Sequence, residues 1–248
     1  MTTALNLQEW FGGIDIYLFD QLLKGRIVPG MRVLDAGCGA GRNLVYLLRS
    51  GFEVCGVDES SEAIAQVRRL AKTLKDEGGR MKDEGSGEES DEGSQGEDEP
   101  VGGKQAGCLR SQGGRSRRPE DERENFRVEP VEKMSWEDES FEVVLSSAVL
   151  HFARSEEQWH KMMNEMWRVL KPGGIFFARL ASSIGIEQQV KVIAGRRYRL
   201  PDGSDRFLVD EAMLLSVMAA LRGEFLDPIK TTIVQNMRAM TTVCVKKG

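Results

Sequence analysis

Glycines at 37, 39 and 41, set between a short apolar run, Met31-Arg-Val-Leu-Asp-Ala36, and an amphipathic stretch that ends at Gly51, constrain this chain more than any other feature. The run has the length of a strand, the stretch has the 3.6-residue apolar period of a helix over 41–51, and alternate glycines allow close ligand approach where a Cβ would obstruct it. In a doubly wound sheet such a turn lies at the carboxyl edge, where ligands bind, and the helix behind it adds unpaired N–H donors. The spacing departs from the G-x-G-x-x-G of a dinucleotide cradle, and Asp35 stands two residues before the first glycine.

Strand and helix then keep alternating. Phe52-Glu-Val-Cys-Gly-Val-Asp58 repeats the strand pattern, and Ser60 or Ser61 caps a helix whose apolar residues Ala63, Ile64, Val67, Leu70, Ala71 and Leu74 share one face. Further on come Phe126-Arg-Val128, Phe141-Glu-Val-Val-Leu-Ser146, a helix over about 156–170, a Lys171-Pro-Gly-Gly174 turn and a strand from Ile175 to Leu180. This order predicts an α/β fold with a mostly parallel sheet covered on both faces. The last apolar runs, Ile229-Lys-Thr-Thr-Ile-Val234 and Met240-Thr-Thr-Val-Cys-Val245, are linked by too few residues for a helical crossover, so an antiparallel hairpin is expected. Asp58, closing the second strand, is placed to accept hydrogen bonds from the two hydroxyls of a ribose, and with the glycine turn it describes a nucleoside site.

One segment breaks the pattern. Residues 75–124 are Asp, Glu, Gly, Ser, Arg and Lys with almost no large apolar side chain, acidic from Asp76 to Pro100 and basic from Val101 to Pro119. Too little apolar surface is present to offset roughly 1–2 kcal/mol of backbone entropy per ordered residue, which predicts a disordered charged insertion. The rest of the 248 residues suit one domain, and a net charge of -5 disfavours nucleic acid as a partner. No apolar run has the roughly 20 residues of a membrane span, and the opening residues lack the pattern of an export signal, so a cytoplasmic protein without membrane contact is expected. Cys38, Cys55, Cys108 and Cys244 are too scattered for a zinc site, and no metal is expected.

Read in order, Asp35-Ala-Gly-Cys-Gly-Ala-Gly41, Gly56-Val-Asp58, Ser140-Phe-Glu-Val-Val-Leu-Ser146 and Leu170-Lys-Pro-Gly-Gly174 resemble the class I S-adenosylmethionine-dependent methyltransferases, most of all their small-molecule branch. The resemblance covers Val33 to Leu180 apart from the insertion, and it implies a Rossmann-like, seven-stranded, mostly parallel sheet in three αβα layers with an antiparallel C-terminal strand. It further implies that Gly37, Gly39 and Gly41, with Cys38 and Asn43 in the same turn, pass under the methionyl and ribose parts of S-adenosylmethionine. Asp35 would support the methionyl ammonium, Asp58 the ribose, Glu59 the adenine edge, and the Ser146 backbone the methionyl amino group. At the third strand the family usually has an Asp that binds adenine, whereas this chain has Pro130. Glu129, Pro130 and Val131 are then the expected contacts, with Glu129 or Glu132 standing in for the missing carboxylate.

Elements outside the shared core select the acceptor. An N-terminal helical lid over 1–30 hinges at Gly12-Gly13, and a second lid spans 181–209 with a Pro201-Asp-Gly203 turn. His151 follows the fourth strand on the acceptor rim, placed either to take a proton from a hydroxyl, amine or thiol or to line the pocket. Arg179, Arg196, Arg197 and Arg199 either favour an anionic acceptor or form a solvated face. The expected function is methyl transfer to a small molecule. The rivals are a catalytically silent cofactor-binding module acting through a protein partner and a nicotinamide oxidoreductase, the latter disfavoured by the glycine spacing.

Overall fold

The computed structural model describes residues 6–83 and 125–248, with side chains up to residue 75 in the first of these stretches. The charged segment therefore lies outside the described residues from 84 to 124, while the helix before it continues through Asp83.

Five parallel strands form the centre: β1 (Arg32–Ala36), β2 (Glu53–Asp58), β3 (Phe126–Val128), β4 (Phe141–Ser147) and β5 (Leu170–Ser182). Chain order runs β1 to β3 outward on one side and restarts with β4 on the other, so the connection reverses between β1 and β4. On the outside of β5 lies the antiparallel strand β11 (Arg238–Lys247), flanked by β10 (Lys230–Val234) and, farther along the same edge, β9 (Gly223–Phe225). The sheet order β10-β11-β5-β4-β1-β2-β3 is the expected seven-strand path, with β9 as an eighth short strand. The hairpin turns through residues 235–237, between the paired Val234 and Arg238, with Gln235 and Asn236 both at positive φ (50° and 54°) and the Met237 N–H donating to the Val234 carbonyl at 2.9 Å.

Both sheet faces are buried, which is why the strands read as continuous apolar runs. On one face Leu34, Ala36, Cys55, Val57, Val144 and Phe176 pack under α5 (Glu156–Val169) and α6 (Glu211–Ala220), through Trp159, Met163, Met166, Leu214 and Met218. On the other, Val33, Val54, Val143, Leu145 and Phe177 meet α2 (Ile16–Leu23), α3 (Val45–Arg49) and α4 (Ser61–Asp83), through Leu18, Leu47, Ile64 and Val67. The result is the three-layer αβα arrangement.

Two local expectations are corrected. The helix predicted over 41–51 is regular only as α3, because Gly41 sits at φ +85° and the Leu44 N–H reaches back to the Gly41 carbonyl in a tighter turn. Lys171 to Gly174 stays within the β5 pairing as an irregularity, the register jumping from Phe141–Leu170 to Val143–Ile175.

Within 181–209 a separate antiparallel sheet forms from β6 (Lys191–Ala194), β7 (Arg197–Arg199) and β8 (Asp205–Phe207), with Pro201-Asp-Gly203 turning β7 into β8. At the N-terminus, α1 (Leu7–Phe11) packs against α3 and α2 follows. A Cβ at Gly12 would lie 2.7 Å from Val45 Cγ2, so this glycine is wedged against α3 where a free hinge was expected.

Candidate functional site

The carboxyl ends of β1, β2 and β4 and the turn after β3 converge on a cavity of about 300 Å³, at the place where the strand order reverses. Gly37, Asp58, Glu59, Val131, Glu132, Ala148 and Val149 line it, and Gln158 and Met162, one turn apart on α5, close the far side. Two glycines have separate reasons to be there. Gly37, at φ +83°, faces Val149 so closely that a Cβ would come within 2.4 Å of its Cγ2. Gly39, at φ +52°, has nothing within 4 Å of the Cβ it lacks and leaves open space above the turn.

Asp58 organises this edge. Its Oδ2 accepts the Gly39 N–H and its Oδ1 the Ser60 N–H, both at 2.9 Å, so the carboxylate ties the β1 turn to the start of α4 while facing the cavity. A carboxylate oxygen accepts more than one hydrogen bond, so capacity for a ligand hydroxyl remains. Beneath the turn, Asp35 is buried, and its carboxyl is pushed up to about 7, chiefly by burial and also by the charge of Asp58, with Arg42 opposing.

Other predicted contacts sit elsewhere. Glu129 turns away from the cavity to accept from the Ser135 N–H at 2.8 Å and from its hydroxyl. Pro130 starts a turn closed by the Lys133 N–H at 3.1 Å, and it is Val131 that reaches the cavity wall. Of the two candidate carboxylates, Glu132 lines the cavity, held by Gln158 Nε2 at 2.8 Å. Asn43 is buried, and its Oδ1 accepts the Asp15 N–H at 3.0 Å, which makes it a clamp between the glycine turn and the N-terminal segment. Ser146 is fully enclosed within β4, and Ala148 and Val149 take the place at the strand end, Ala148 at φ +66°. Cys38 packs its sulfur where a Cβ on Gly56 would fall, and burial, reinforced by the charges of Asp35 and Asp58, holds its thiol far above the ordinary range, so it is a filler and no nucleophile. Gly41 packs on Val67.

Ala148 is shared with a second cavity of about 440 Å³. Arg42, His151, Arg179, Asp202, Arg206 and Arg238 form its polar side, and Leu200, Val234, Met237 and Met240 its apolar wall. His151 is buried, its Nδ1 accepts the Ala181 N–H at 3.2 Å, and burial together with Arg206 and Arg238 pushes its pKa down to about 4. The neutral imidazole therefore carries its proton on Nε2 and presents a donor, not the lone pair a general base needs. Of the two uses open to it, this geometry suits lining the pocket better than taking a proton. Of the predicted arginines only Arg179 lines this cavity; Arg196 and Arg199 pair with Asp210 and Asp205 in and beside the small sheet, and Arg197 lies on β7. Nothing local in the sequence marks Arg42, Arg206 or Arg238, which come together only through the α3 turn, β8 and β11.

Among the described residues no group of His, Cys, Asp and Glu is arranged to hold a metal, and no helix is long and apolar enough to cross a membrane.

Residues 33–81 match one family profile described as a methyltransferase domain, and residues 109–178 match another of the same description. A stretch of 42 residues is 45% identical to an uncharacterised methyltransferase of Synechocystis sp. (strain ATCC 27184 / PCC 6803 / Kazusa), covering 17% of this chain and 20% of that protein. The curated relatives matched are spanned for 20% of their length or less. Among solved structures, the PH0226 protein of Pyrococcus horikoshii OT3 has a TM-score of 0.58 at 18% identity, over 98% of this chain and 96% of that one. The Burkholderia thailandensis 1,6-didemethyltoxoflavin-N1-methyltransferase, solved with 1,6-didemethyltoxoflavin and S-adenosylhomocysteine, has a TM-score of 0.58 at 18% identity, over 93% and 75%. The profile matches fall on β1 to α4 and on β3 to β5, the strands whose carboxyl ends build the first cavity, and over both stretches the chain is similar to methyltransferase domains.

Proposed function

We propose that the chain binds S-adenosylmethionine in the first cavity and transfers its methyl group to a small molecule in the second. The observation that carries this reading is the Asp58 carboxylate, which faces the first cavity while fixing the Gly39 N–H, beside a glycine turn open enough for a nucleoside. The residues present fit the group: Asp58 takes the ribose hydroxyls, Val131 and Glu132 the adenine side, and Asp35 the ammonium. Gly37 and Glu59 complete the lining along the turn, while Ser146 supports the strand end from within.

The sulfonium of the cofactor supplies an already activated methyl, so the protein has chiefly to bring an acceptor to about 3–3.5 Å on axis and keep water out. Gly37, pressed on Val149, keeps the boundary between β1 and β4 thin, and Ala148 borders both cavities there. Phe152 lines the first cavity with Arg206 stacked over its ring at 4.9 Å, closing the same boundary from the other side.

A second reading has its own observation. His151 offers no free lone pair, which suits a silent cofactor-binding module as well as an acceptor that needs no base. Incubation with methyl-labelled S-adenosylmethionine separates them: one S-adenosylhomocysteine is expected per labelled small molecule formed. Cofactor binding with no transfer to any acceptor class tested would favour the silent module.

A further inference from the structure

The second cavity is cationic in a way the cofactor does not use. Four guanidinium groups, from Arg42, Arg179, Arg206 and Arg238, face it. Two carboxylates answer them: Asp15, behind the wall, pairs with Arg179 at 2.8 Å, and Asp202 with Arg238 at 2.6 Å. Arg42 donates to Ser147 Oγ at 2.9 Å and is only 3.9 Å from the Asp15 carboxylate that Arg179 already holds. Arg206 donates to the Asp205 carbonyl at 2.7 Å and stacks on Phe152, with no carboxylate partner of its own among the described residues. The cavity therefore has guanidinium charge to spare, an N–H donor on His151 and an apolar wall opposite. Its two titratable acceptors are engaged: Asp202 is held by the Ser204 N–H and hydroxyl and by Arg238, and His151 Nδ1 accepts the Ala181 N–H.

Resting on the methyltransferase reading above, we infer that the acceptor is an organic carboxylate with a hydrophobic body, its anionic group read by Arg206 and Arg42 and its body laid against Leu200, Met237 and Met240. A planar carboxylate matches the donor fork of arginine. It also removes the need for a base. Its oxygen forms the bond to the methyl carbon as the carbon–sulfur bond breaks, the electron pair leaves on sulfur, and the products are a methyl ester and a neutral thioether, with no proton to remove. A cavity of about 440 Å³ suits a one- or two-ring acid.

The test uses the full chain saturated with S-adenosylhomocysteine and titrated with benzoate, phenylacetate and 1-naphthoate beside their carboxamides. Carboxylates are expected to bind at least tenfold more tightly than the matching carboxamides. That preference is expected to vanish in Arg206→Gln and to survive in part in Arg206→Lys, while both variants still bind S-adenosylhomocysteine and keep the parent melting temperature. With methyl-labelled S-adenosylmethionine, at least one acid is expected to yield label that alkali releases as methanol. Carboxamides binding as well as the acids, a preference undiminished in Arg206→Gln, or the absence of alkali-labile label would each overturn the inference. Failure of S-adenosylhomocysteine to bind would instead overturn the reading on which it rests.

Discussion

Replacing Asp58 by alanine is expected to weaken S-adenosylhomocysteine binding about 100-fold with little change in the fold. In the proposed complex this carboxylate accepts from the ribose hydroxyls, and in the structure it already holds the Gly39 N–H at 2.9 Å. The substitution thus removes ligand contacts and loosens the turn beneath them. Two hydrogen bonds to a charged acceptor at roughly 1.5 kcal/mol each sum to about 3 kcal/mol, and each 1.4 kcal/mol is about tenfold in affinity. Glu129→Ala is the matched control, because Glu129 is engaged with Ser135 and does not line the cavity. Calorimetry on the two variants checks the assignment; a dissociation constant for Asp58→Ala within threefold of the parent chain would remove Asp58 from the site.

The largest stability effect is expected at Asp15. Its side chain is fully buried, caps α2 through the Tyr17 N–H at 3.0 Å and holds Arg179 of β5 at 2.8 Å, while its own N–H donates to Asn43. Asp15→Ala leaves the Arg179 guanidinium, whose Nε already has no partner, against the sheet without its counter-charge. Breaking a buried pair from one side costs about 3–5 kcal/mol, and partial exposure of Arg179 argues for the lower end. For a chain of this size about 3 kcal/mol lowers the melting temperature by roughly 6–12 °C. Asp20→Ala, which breaks pairs with Lys24 and Lys230 at the surface, is expected to cost under about 1 kcal/mol. Thermal melts of both variants decide it, and equal shifts would mean that the Asp15 pair does not anchor the N-terminal segment.

The αβα order was legible because it rests on local patterning: buried strands read as apolar runs, and Val67 and Ile64 recur at helical spacing. The glycine turn and Asp58 were legible for the same reason, since one short stretch sets each. Ala148 and Val149, beyond Ser146, form the cavity wall because β4 runs one residue further and then turns through a positive φ at Ala148, a conformation that alanine seldom adopts and that no local signal announces. Asn43 was placed beside the cofactor by its position in the turn, yet its partner, Asp15, lies 28 residues away. The tautomer of His151 depends on the Ala181 N–H, supplied by a strand 30 residues later. The cationic wall is likewise an accident of tertiary placement in the sequence: Arg206 reaches it from a short strand and Arg238 from the first residue of β11.

The central claim is that the first cavity is an S-adenosylmethionine site with Asp35 beneath the ammonium, and titration of the full chain with S-adenosylhomocysteine at pH 6 and pH 8, with NADH as the comparison, tests it most directly. Without ligand the Asp35 carboxyl sits at about 7, so below that pH it is mostly neutral and a bound cation must first drive its proton off. Above it the carboxylate is already formed. Affinity is therefore expected to rise with pH, and one pH unit below the pKa corresponds to about 1.4 kcal/mol, or tenfold. The expected result is one micromolar site, up to about tenfold tighter at pH 8 than at pH 6, and no heat from NADH. Binding of NADH with none of S-adenosylhomocysteine, or of neither, would contradict the account.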